Sequence, residues 1–334
     1  MTIVVLHGYV PPDAPKDELD TLVEVENVSS ALGRLGYEPV SVPFSLDTKA
    51  VLEVLRELRP IIVFNLVESL EGSGQLIHIA PTLLDHLGFT YTGASAETIF
   101  LSSNKLVAKN LLHKAGIPTP PWVSSCEESG LDSIVFGPPY IIKSVWEHAS
   151  IGLDEDSVVF DKHRLRQEVE LRMGRHAGAC YVESYVEGRE FNLSLLEAGR
   201  GMEMLPPAEI HFVDYPKGKP RVVGYRAKWE EESFEYQHTP RSFTFPDRDK
   251  SLLRRLADIA VECWHVFGFR GYVRMDFRVD SSGRPWVLEL NANPCLSPEG
   301  GFASAAEQGG LSYDGLIGRI VEVPLRRAGE KSPP

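Results

Sequence analysis

A stretch near the C-terminal end of the chain, residues 271–294, alternates apolar side chains with side chains that can bind a metal ion. Asp276 lies in its first half, and Glu289 and Asn291 lie in its second half. Alternation with a period of two is typical of β-strands, so the stretch predicts a β-hairpin with one polar face. Carboxylate and amide oxygens are the ligands that hard divalent cations prefer. The pattern therefore indicates a site for such a cation.

The register of this hairpin decides whether these side chains meet. A two-residue turn at Ser282-Gly283 would pair Asp276 with Glu289. The same turn would pair Arg274 with Asn291. Two carboxylates opposite each other repel unless a positive charge lies between them, which a bound cation supplies. The alternative is an ordinary amphipathic hairpin with its charges in solvent. The other face is predicted to be apolar throughout and is formed by Met275, Phe277, Val279, Trp286, Leu288 and Leu290.

The first hundred residues must supply part of the frame that holds this hairpin. Strands are predicted at 2–6, 37–42 and 61–65, and helices at 22–35, 49–58 and 76–87. Alternating strands and helices imply a parallel sheet covered by helices, which binds ligands at the carboxyl ends of its strands. His7-Gly8 and Glu68 follow two of these strands and are therefore expected at that edge.

The rest of the chain is predicted to alternate helices and strands less regularly. The segment 116–121, Gly-Ile-Pro-Thr-Pro-Pro, predicts a rigid linker and a domain boundary. The stretch 211–239 is rich in charge and aromatic residues and predicts a loop or lid, a surface insertion being the alternative. The predicted elements are helices at 104–115, 162–173, 249–267 and 312–321, strands at 140–144 and 180–185, and a frayed tail from 326 to 334.

Composition restricts the classes of function. The 334 residues are 43% hydrophobic and 24% charged, as in an ordinary globular protein of two or three domains. A net charge of −13 argues against nucleic acid or an anionic membrane as a partner. No apolar run reaches the roughly 18 residues of a membrane span, and the first residues predict a strand rather than a signal peptide. Four cysteines without a Cys-x-x-Cys pair fit reduced thiols, so a cytoplasmic location is expected.

Four ordered motifs resemble those of one family. They are F-L-S-S-N-K ending at Lys105, I-I-K ending at Lys143, E-S-Y-V-E-G-R-E from Glu183 to Glu190, and the hairpin. Together they resemble the ATP-grasp superfamily and, within it, the D-alanine–D-alanine ligase family. The resemblance implies an α/β ligase with ATP clamped between its central and C-terminal domains. Its expected parts are an N-terminal α/β domain (1–102), a central ATP-grasp subdomain (103–190), a C-terminal ATP-grasp subdomain (191–325) and a tail (326–334).

The resemblance also implies cofactors and roles for individual residues. ATP and two Mg²⁺ ions are expected, with Mn²⁺ as an alternative ion, and a homodimer through the N-terminal domain. Asp276, Glu289 and Asn291 would hold the metal ions, and Arg274 would stabilise the developing oxyanion. The residues implied to bind the nucleotide are Lys105, Lys143 and Lys228 at the phosphates, Glu183, Tyr185 and Val186 at the adenine, Glu190 at the ribose, and Ser150 and Leu288.

The sequence departs from the family pattern on the side of the amino-acid substrates. The family's N-terminal G-G-x-S-x-E run is absent, and Asp17, Glu18 or Asp20 stands as a substitute for its glutamate. Glu68 is a candidate partner for a substrate ammonium group, with capping of its loop as the alternative. Other positions depart from the pattern or could compensate for its loss, namely His148, Trp229, Ser297, Glu299 and Gly300-Gly301.

Three functions are consistent with this pattern. The leading hypothesis is an ATP-dependent carboxylate–amine ligase that joins small amino-acid-like molecules through an acyl phosphate, and whose substrates are not two D-alanines. The second is a D-alanine–D-alanine ligase with divergent pockets. The third is a non-catalytic, nucleotide-binding regulatory protein, which the joint retention of Arg274 and the three metal-type ligands argues against.

Overall fold

Three β-sheets organise the chain in the computed structural model, which describes residues 1–124, 131–148, 150–175, 179–199 and 201–331. The first sheet is parallel with the strand order β2-β1-β3, which confirms the predicted parallel sheet. Its elements, with their flanking helices, are β1 (Thr2–Gly8), α1 (Lys16–Arg34), β2 (Glu38–Phe44), α2 (Thr48–Leu58), β3 (Ile62–Leu66), α3 (Ile79–Leu87) and α4 (Ala96–Ser103).

Helix α1 begins at Lys16 rather than at the predicted residue 22. Pro15 precedes it with extended backbone, and Asp17 and Glu18 place negative charge in the first turn, where the helix dipole favours it. The apolar pattern alone missed this polar first turn. As a result, the N-terminal end of α1 carries acidic side chains toward the other two sheets.

The second sheet is antiparallel with the order β4-β7-β5-β6. Its linker, residues 116–121, is fastened to the hairpin, because the Val287 amide donates to the Pro118 carbonyl (2.8 Å) and the Thr119 hydroxyl donates to the Val287 carbonyl (3.0 Å). The elements of this part are α5 (Lys105–Lys114), β4 (Trp122–Ser124), β5 (Tyr140–Ser144), β6 (Val158–Val159), α6 (Lys162–Arg175) and β7 (Cys180–Ser184).

The third sheet has the order β11-β10-β8-β12-β13, with β9 paired to β8. Helix α9 packs on one face, and Phe191, Met275, Phe277 and Val287 are fully buried in that core. Its elements and the helices that follow are β8 (Arg189–Ala198), β9 (Gly201–Met204), β10 (Ala208–Ile210), α7 (Tyr225–Trp229), α8 (Phe234–Gln237), β11 (Arg241–Ser242), α9 (Lys250–Phe267), β12 (Tyr272–Val279), β13 (Pro285–Asn291), α10 (Gly301–Gln308) and α11 (Tyr313–Lys331).

Strands β12 and β13 pair in the predicted register near the cavity, but the turn between them differs from the predicted one. Asp276 lies opposite Glu289, and Arg274 lies opposite Asn291. The loop runs from residue 280 to 284 rather than through a two-residue turn, because the Asp280 carboxylate accepts the amides of Ser282 and Arg284.

A bulge at Leu288 restores the predicted register. Phe277 pairs with Val287, so Leu288 is the extra residue between that pair and the pair that contains Glu289. The predicted apolar face is therefore wrong in β13. Val287 enters the core with Leu290, while Leu288 lines the cavity described below and Trp286 donates to Asp280 (2.9 Å).

Two further predictions differ from the structure. The predicted frayed tail is wrong up to residue 331, because α11 continues past Val321. Leu325 packs against the core beneath α11, and Arg326 pairs with Glu322 one turn earlier. Residues 332–334 of that predicted tail lie outside the described residues. The stretch 211–239 is not wholly irregular, since it contains α7 and α8. No described helix is long and apolar enough to cross a membrane.

Candidate active site

A cavity of about 790 Å³ is lined by residues that belong to or follow elements of all three sheets. Asp20 reaches it from α1, Lys143 from β5 and Asp276 from β12. Every residue that the sequence implied as a metal, nucleotide or catalytic group lies on its wall: Glu68, Lys105, Lys143, Ser150, Glu183, Tyr185, Val186, Glu190, Lys228, Arg274, Asp276, Leu288, Glu289 and Asn291. The structure therefore brings the set together, and the role of each member stays a prediction.

The Asp276 carboxylate is held by a guanidinium on its own strand. Arg274 Nε lies 2.9 Å from Asp276 Oδ1, and Arg274 Nη2 lies 3.0 Å from Oδ2. Asn192 on β8 donates to the same Oδ1 at 2.8 Å, a contact that the sequence did not reveal. Both partners are neighbours of Asp276 in the sheet, so the strand order places them there.

Glu289 has different neighbours, a lysine and a histidine. Lys105 Nζ and His148 Nδ1 each lie 3.4 Å from Glu289 Oε1. Burial would raise the pKa of Glu289, but Lys105 and His148 outweigh it, so its pKa lies well below the ordinary value. Burial and the charge of Lys105 lower the pKa of His148. Glu289 is therefore an ionised acceptor, and it faces the same cavity as Asp276.

Three lysines converge near this pair. Lys105 donates to the Glu147 carbonyl, Lys143 lies near the end of β5, and Lys228 extends from α7 within the segment 211–239. Burial and the charge of Arg274 lower the pKa of Lys228. Ser150 lies beside them in a left-handed backbone conformation (φ 63°), and its hydroxyl donates to the carbonyl of Val223 at 2.8 Å. This part of the cavity concentrates positive charge, although the whole chain is acidic.

The end of β7 carries a buried carboxylate between two lysines. Glu183 is 1% exposed, and its Oε1 lies 2.9 Å from Lys143 Nζ while its Oε2 lies 2.6 Å from Lys109 Nζ. Lys109 was missed by the sequence reasoning. Its spacing of four residues from Lys105 on one helix was the available signal, because such residues share a helix face.

Arg278 forms an ion pair with the buried carboxylate of Glu190. Its guanidinium contacts the Glu190 carboxylate at 2.6 and 2.9 Å and is 4% exposed. It also donates to the carbonyls of Gly188 and Arg221. Tyr185 completes this wall, with its hydroxyl 3.0 Å from the Arg221 amide. Arg278 lies two residues after Asp276, so the alternation of β12 already placed both on one face.

The cavity wall also carries a cluster of acidic side chains. Glu24 and Glu68 each offer an oxygen within 4.8 Å of the other and of the Cys295 sulfur. Asp20 accepts from Cys295 Sγ at 3.1 Å and from Ser297 Oγ at 3.3 Å. Burial, followed by the charge of Asp20, raises the pKa of Glu68 to about 8. Burial and the charge of Glu68 also raise the pKa of Glu24 well above its ordinary value.

The structure separates the three candidate acids of α1. Asp17 and Asp20 line the cavity, and Glu18 is absent from the described lining. Asp17 accepts from the Tyr225 hydroxyl at 2.8 Å, which joins α1 to α7. Of the remaining positions that depart from the family pattern, His148 contacts Glu289, and the others line the cavity: Trp229, Ser297, Glu299 and Gly300-Gly301.

Comparison with known proteins gives consistent matches over most of the chain. The family model for the D-ala D-ala ligase C-terminus matches residues 111–322. An uncharacterized protein, y4sG of Sinorhizobium fredii, is 30% identical over 90% of this chain and 87% of its own length. The D-alanine–D-alanine ligase of Gloeobacter violaceus is 29% identical over 97% of this chain and 100% of its own. That of Xylella fastidiosa is 30% identical over 91% and 94%.

Solved structures give the same fold. The D-alanine–D-alanine ligase of Bacillus anthracis, complexed with ATP, superposes with a TM-score of 0.75 at 20% identity and covers 99% of this chain and 100% of its own. The enzyme of Coxiella burnetii superposes with a TM-score of 0.70 at 16% identity, over 99% and 97%. The predicted three-domain α/β fold class is thereby confirmed.

Proposed function

Because this chain belongs to the D-alanine–D-alanine ligase family, whose members are ATP-dependent ligases that form C–N bonds, we propose that it joins the carboxylate of one small amino-acid-like molecule to the amine of another. The observation that carries this proposal is the charge arrangement of one cavity. Lysines, the hairpin carboxylates, Arg274 and an acidic cluster of Asp20, Glu24 and Glu68 all line this cavity.

The nucleotide would be ATP, and the wall beside β7 fits it. Glu183 supplies an acceptor for the base, the backbone at Tyr185-Val186 borders the same region, and Glu190 supplies acceptors for ribose hydroxyls. Ser150 would border the phosphates, and Leu288 would border the base. Lys105, Lys143 and Lys228 would contact the phosphates, where fixed positive charge is the main requirement of phosphoryl transfer.

The donor set of the hairpin fits hard divalent cations. Two carboxylates and an amide, from Asp276, Glu289 and Asn291, are the oxygen ligands that Mg²⁺ prefers, and Mn²⁺ accepts the same set. We propose two ions. When bound, Mg²⁺ neutralises charge on the β- and γ-phosphates.

The chemistry would proceed in two steps. An oxygen of the first substrate's carboxylate attacks the γ-phosphorus. The bond between the γ-phosphorus and the β,γ-bridging oxygen breaks, so ADP leaves and an acyl phosphate results. The second substrate's amine then attacks the carbonyl carbon, phosphate leaves and the amine loses a proton. Arg274 and Lys228 would stabilise the oxyanion of the tetrahedral intermediate. The lid segment 211–239 would exclude water, which otherwise hydrolyses the acyl phosphate.

The acidic cluster suits the ammonium group of a substrate. Glu68 is the predicted contact, and Asp20 lies close enough to affect its pKa. Trp229 and Gly300-Gly301 replace residues that the family uses near its two amino acids, so we propose that the main product is not D-alanyl-D-alanine. The names of the relatives favour the second candidate, a D-alanine–D-alanine ligase.

A substrate screen separates these functions. The purified protein would be incubated with Mg-ATP and with single and paired amino acids of both configurations, and ADP release would be followed with a coupled assay. We expect ADP release with particular pairs other than D-alanine alone. Release with D-alanine alone at the highest rate supports the second candidate. No release with any pair, together with tight Mg-ATP binding, supports the non-catalytic alternative and contradicts the proposal.

Domain limits and assembly are also proposed. The three sheets support a division at about residues 102 and 190, with the hairpin in the last unit. A homodimer through the N-terminal domain is expected from the family resemblance, and light scattering coupled to gel filtration tests it against the monomer mass of 37.1 kDa.

A further inference from the structure

Lys109 is a buried cation that no step of the proposed reaction uses. It lies on α5, is 2% exposed and has three oxygen partners at its ammonium group. Glu183 Oε2 lies 2.6 Å away, the Thr119 hydroxyl 2.7 Å and the Pro120 carbonyl 3.0 Å. The ammonium group donates hydrogen bonds to Thr119 and Pro120 and forms an ion pair with Glu183, so its charge has a fixed partner inside the protein.

The Glu183 carboxylate owes its position to Lys109 on one side and Lys143 on the other. Burial would raise the pKa of Glu183, but the two lysines outweigh burial, and its pKa is lowered. Burial lowers the pKa of Lys109 to about 8, so the lysine is largely a cation at neutral pH. The carboxylate is thereby fixed as a charged acceptor with lone pairs left over on the cavity side.

We propose that Lys109 is a positioning residue that makes the nucleotide site selective for a purine with an amino group at position 6. A fixed carboxylate accepts a hydrogen bond from that amino group and repels the carbonyl oxygen that inosine or guanosine nucleotides carry there. This inference rests on the proposed use of ATP. The inference goes beyond the use of ATP because it assigns the choice of base to a side chain that would not itself contact the nucleotide.

The competing explanation is that Lys109 only fastens the linker. Thr119 Oγ1 is bonded both to Lys109 and to the Val287 carbonyl of β13, so loss of the lysine also disturbs the hairpin. A purely structural role predicts equal loss of affinity for every nucleotide. A positioning role predicts loss that depends on the 6-amino group.

A double-mutant cycle between protein and ligand separates the two explanations. Binding of Mg-ATP and of the Mg complex of purine riboside triphosphate, which lacks only the 6-amino group, would be measured by calorimetry. The wild-type protein should prefer ATP by about 10- to 100-fold, as expected for a hydrogen bond to a charged group. In Lys109→Met this preference should fall below about threefold, with inosine triphosphate gaining relative to ATP.

Two matched variants complete the test. Lys114→Met removes an exposed lysine from the same helix, and Thr119→Val removes the linker bond while it keeps the ion pair. Both should retain the preference for ATP. If Lys109→Met does not fold, Lys109→Gln keeps donors for the linker without the charge, and the same loss of preference is expected.

The outcomes distinguish this inference from the proposed function. If the variants bind both nucleotides more weakly by the same factor, the preference for ATP survives and the inference is wrong while the proposed function stands. If the wild-type protein binds neither nucleotide, the proposed function itself fails.

Discussion

The carboxyl group of Glu68 predicts how the stability of the folded protein depends on pH. Burial, followed by the charge of Asp20, raises its pKa from 4.5 to about 8, against the opposing charges of Arg274 and Lys228. Between these two pH values the folded protein keeps a proton that the unfolded chain releases. The folded state then binds more protons than the unfolded state, so the free energy of unfolding falls as the pH rises.

The size of this effect follows from the pH interval. Within the window from about 4.5 to about 8, each pH unit costs about 1.4 kcal/mol for one retained proton. Raising the pH from 5 to 7 therefore removes about 3 kcal/mol of stability. A Glu68→Gln variant has no proton to release and keeps a similar shape, so it should escape this loss.

Thermal unfolding followed by circular dichroism at pH 5, 6 and 7 measures the difference. The melting temperature of Glu68→Gln should rise relative to that of the wild-type protein by about 4 °C between pH 5 and pH 7, because the unfolding entropy of a 334-residue chain gives about 1.4 °C per kcal/mol. Glu57→Gln, an exposed substitution on α2, should follow the wild-type curve. Parallel curves for Glu68→Gln and wild type would refute the reasoning.

Three further predictions concern the cavity. Glu289→Gln should lower ADP release at least about 100-fold, because an amide replaces a charged group, and it should also lower the melting temperature at neutral pH, because it removes the ionised partner of Lys105. Lys219→Met should leave the Glu155 carboxylate of the second sheet facing the lid acid Glu235 without their shared cation. Limited proteolysis within 211–239 should then accelerate, and ATP hydrolysis without product should rise. Gly188→Ala should cost about 2–3 kcal/mol of stability and weaken ATP binding, because a Cβ there would meet the Val279 carbonyl oxygen at 1.9 Å.

Controls and contradicting results are specific to each change. Full activity of Glu289→Gln would make the metal assignment wrong. If Lys219→Met changed neither the rate of proteolysis nor the ratio of ATP hydrolysis to product formation, the lid would not depend on this ion pair. Gly33→Ala, in α1 with open space around the position, should stabilise the protein by up to about 1 kcal/mol. If Gly188→Ala were tolerated as well as Gly33→Ala, this would contradict the close approach of the Gly188 backbone to the Val279 carbonyl.

The sequence predicted which carboxylates of the hairpin lie opposite each other because alternation is a local property. Asp276 and Glu289 were expected to pair, and they do, although the assumed turn was wrong and a bulge compensates for it. The predicted face of Leu288 was wrong because this residue forms the bulge, and a bulge has no clear signature in a period-two pattern. Element boundaries set by polar residues, such as the start of α1, were also missed by an apolar pattern.

The partners of the site residues were less predictable because they come from distant parts of the chain. Asn192 reaches Asp276 from β8, and Glu24 reaches the Leu296 amide from α1. Lys109 is the partial exception, since its helical spacing from Lys105 was visible. Burial decides which of these charges matter, and burial is a property of the assembled sheets rather than of any one segment.

The bulge at Leu288 also bears on where this chain tolerates insertions and deletions. It lies between the loop 280–284 and the pair of Asp276 and Glu289, so a longer or shorter loop leaves the ligand pair in place as long as β12 stays paired with β8. Deletion of Leu288 itself, with Glu289 kept in position, would turn Val287 toward the cavity and Trp286 into the core. An alignment of relatives should therefore allow gaps in the loop and none in the strand.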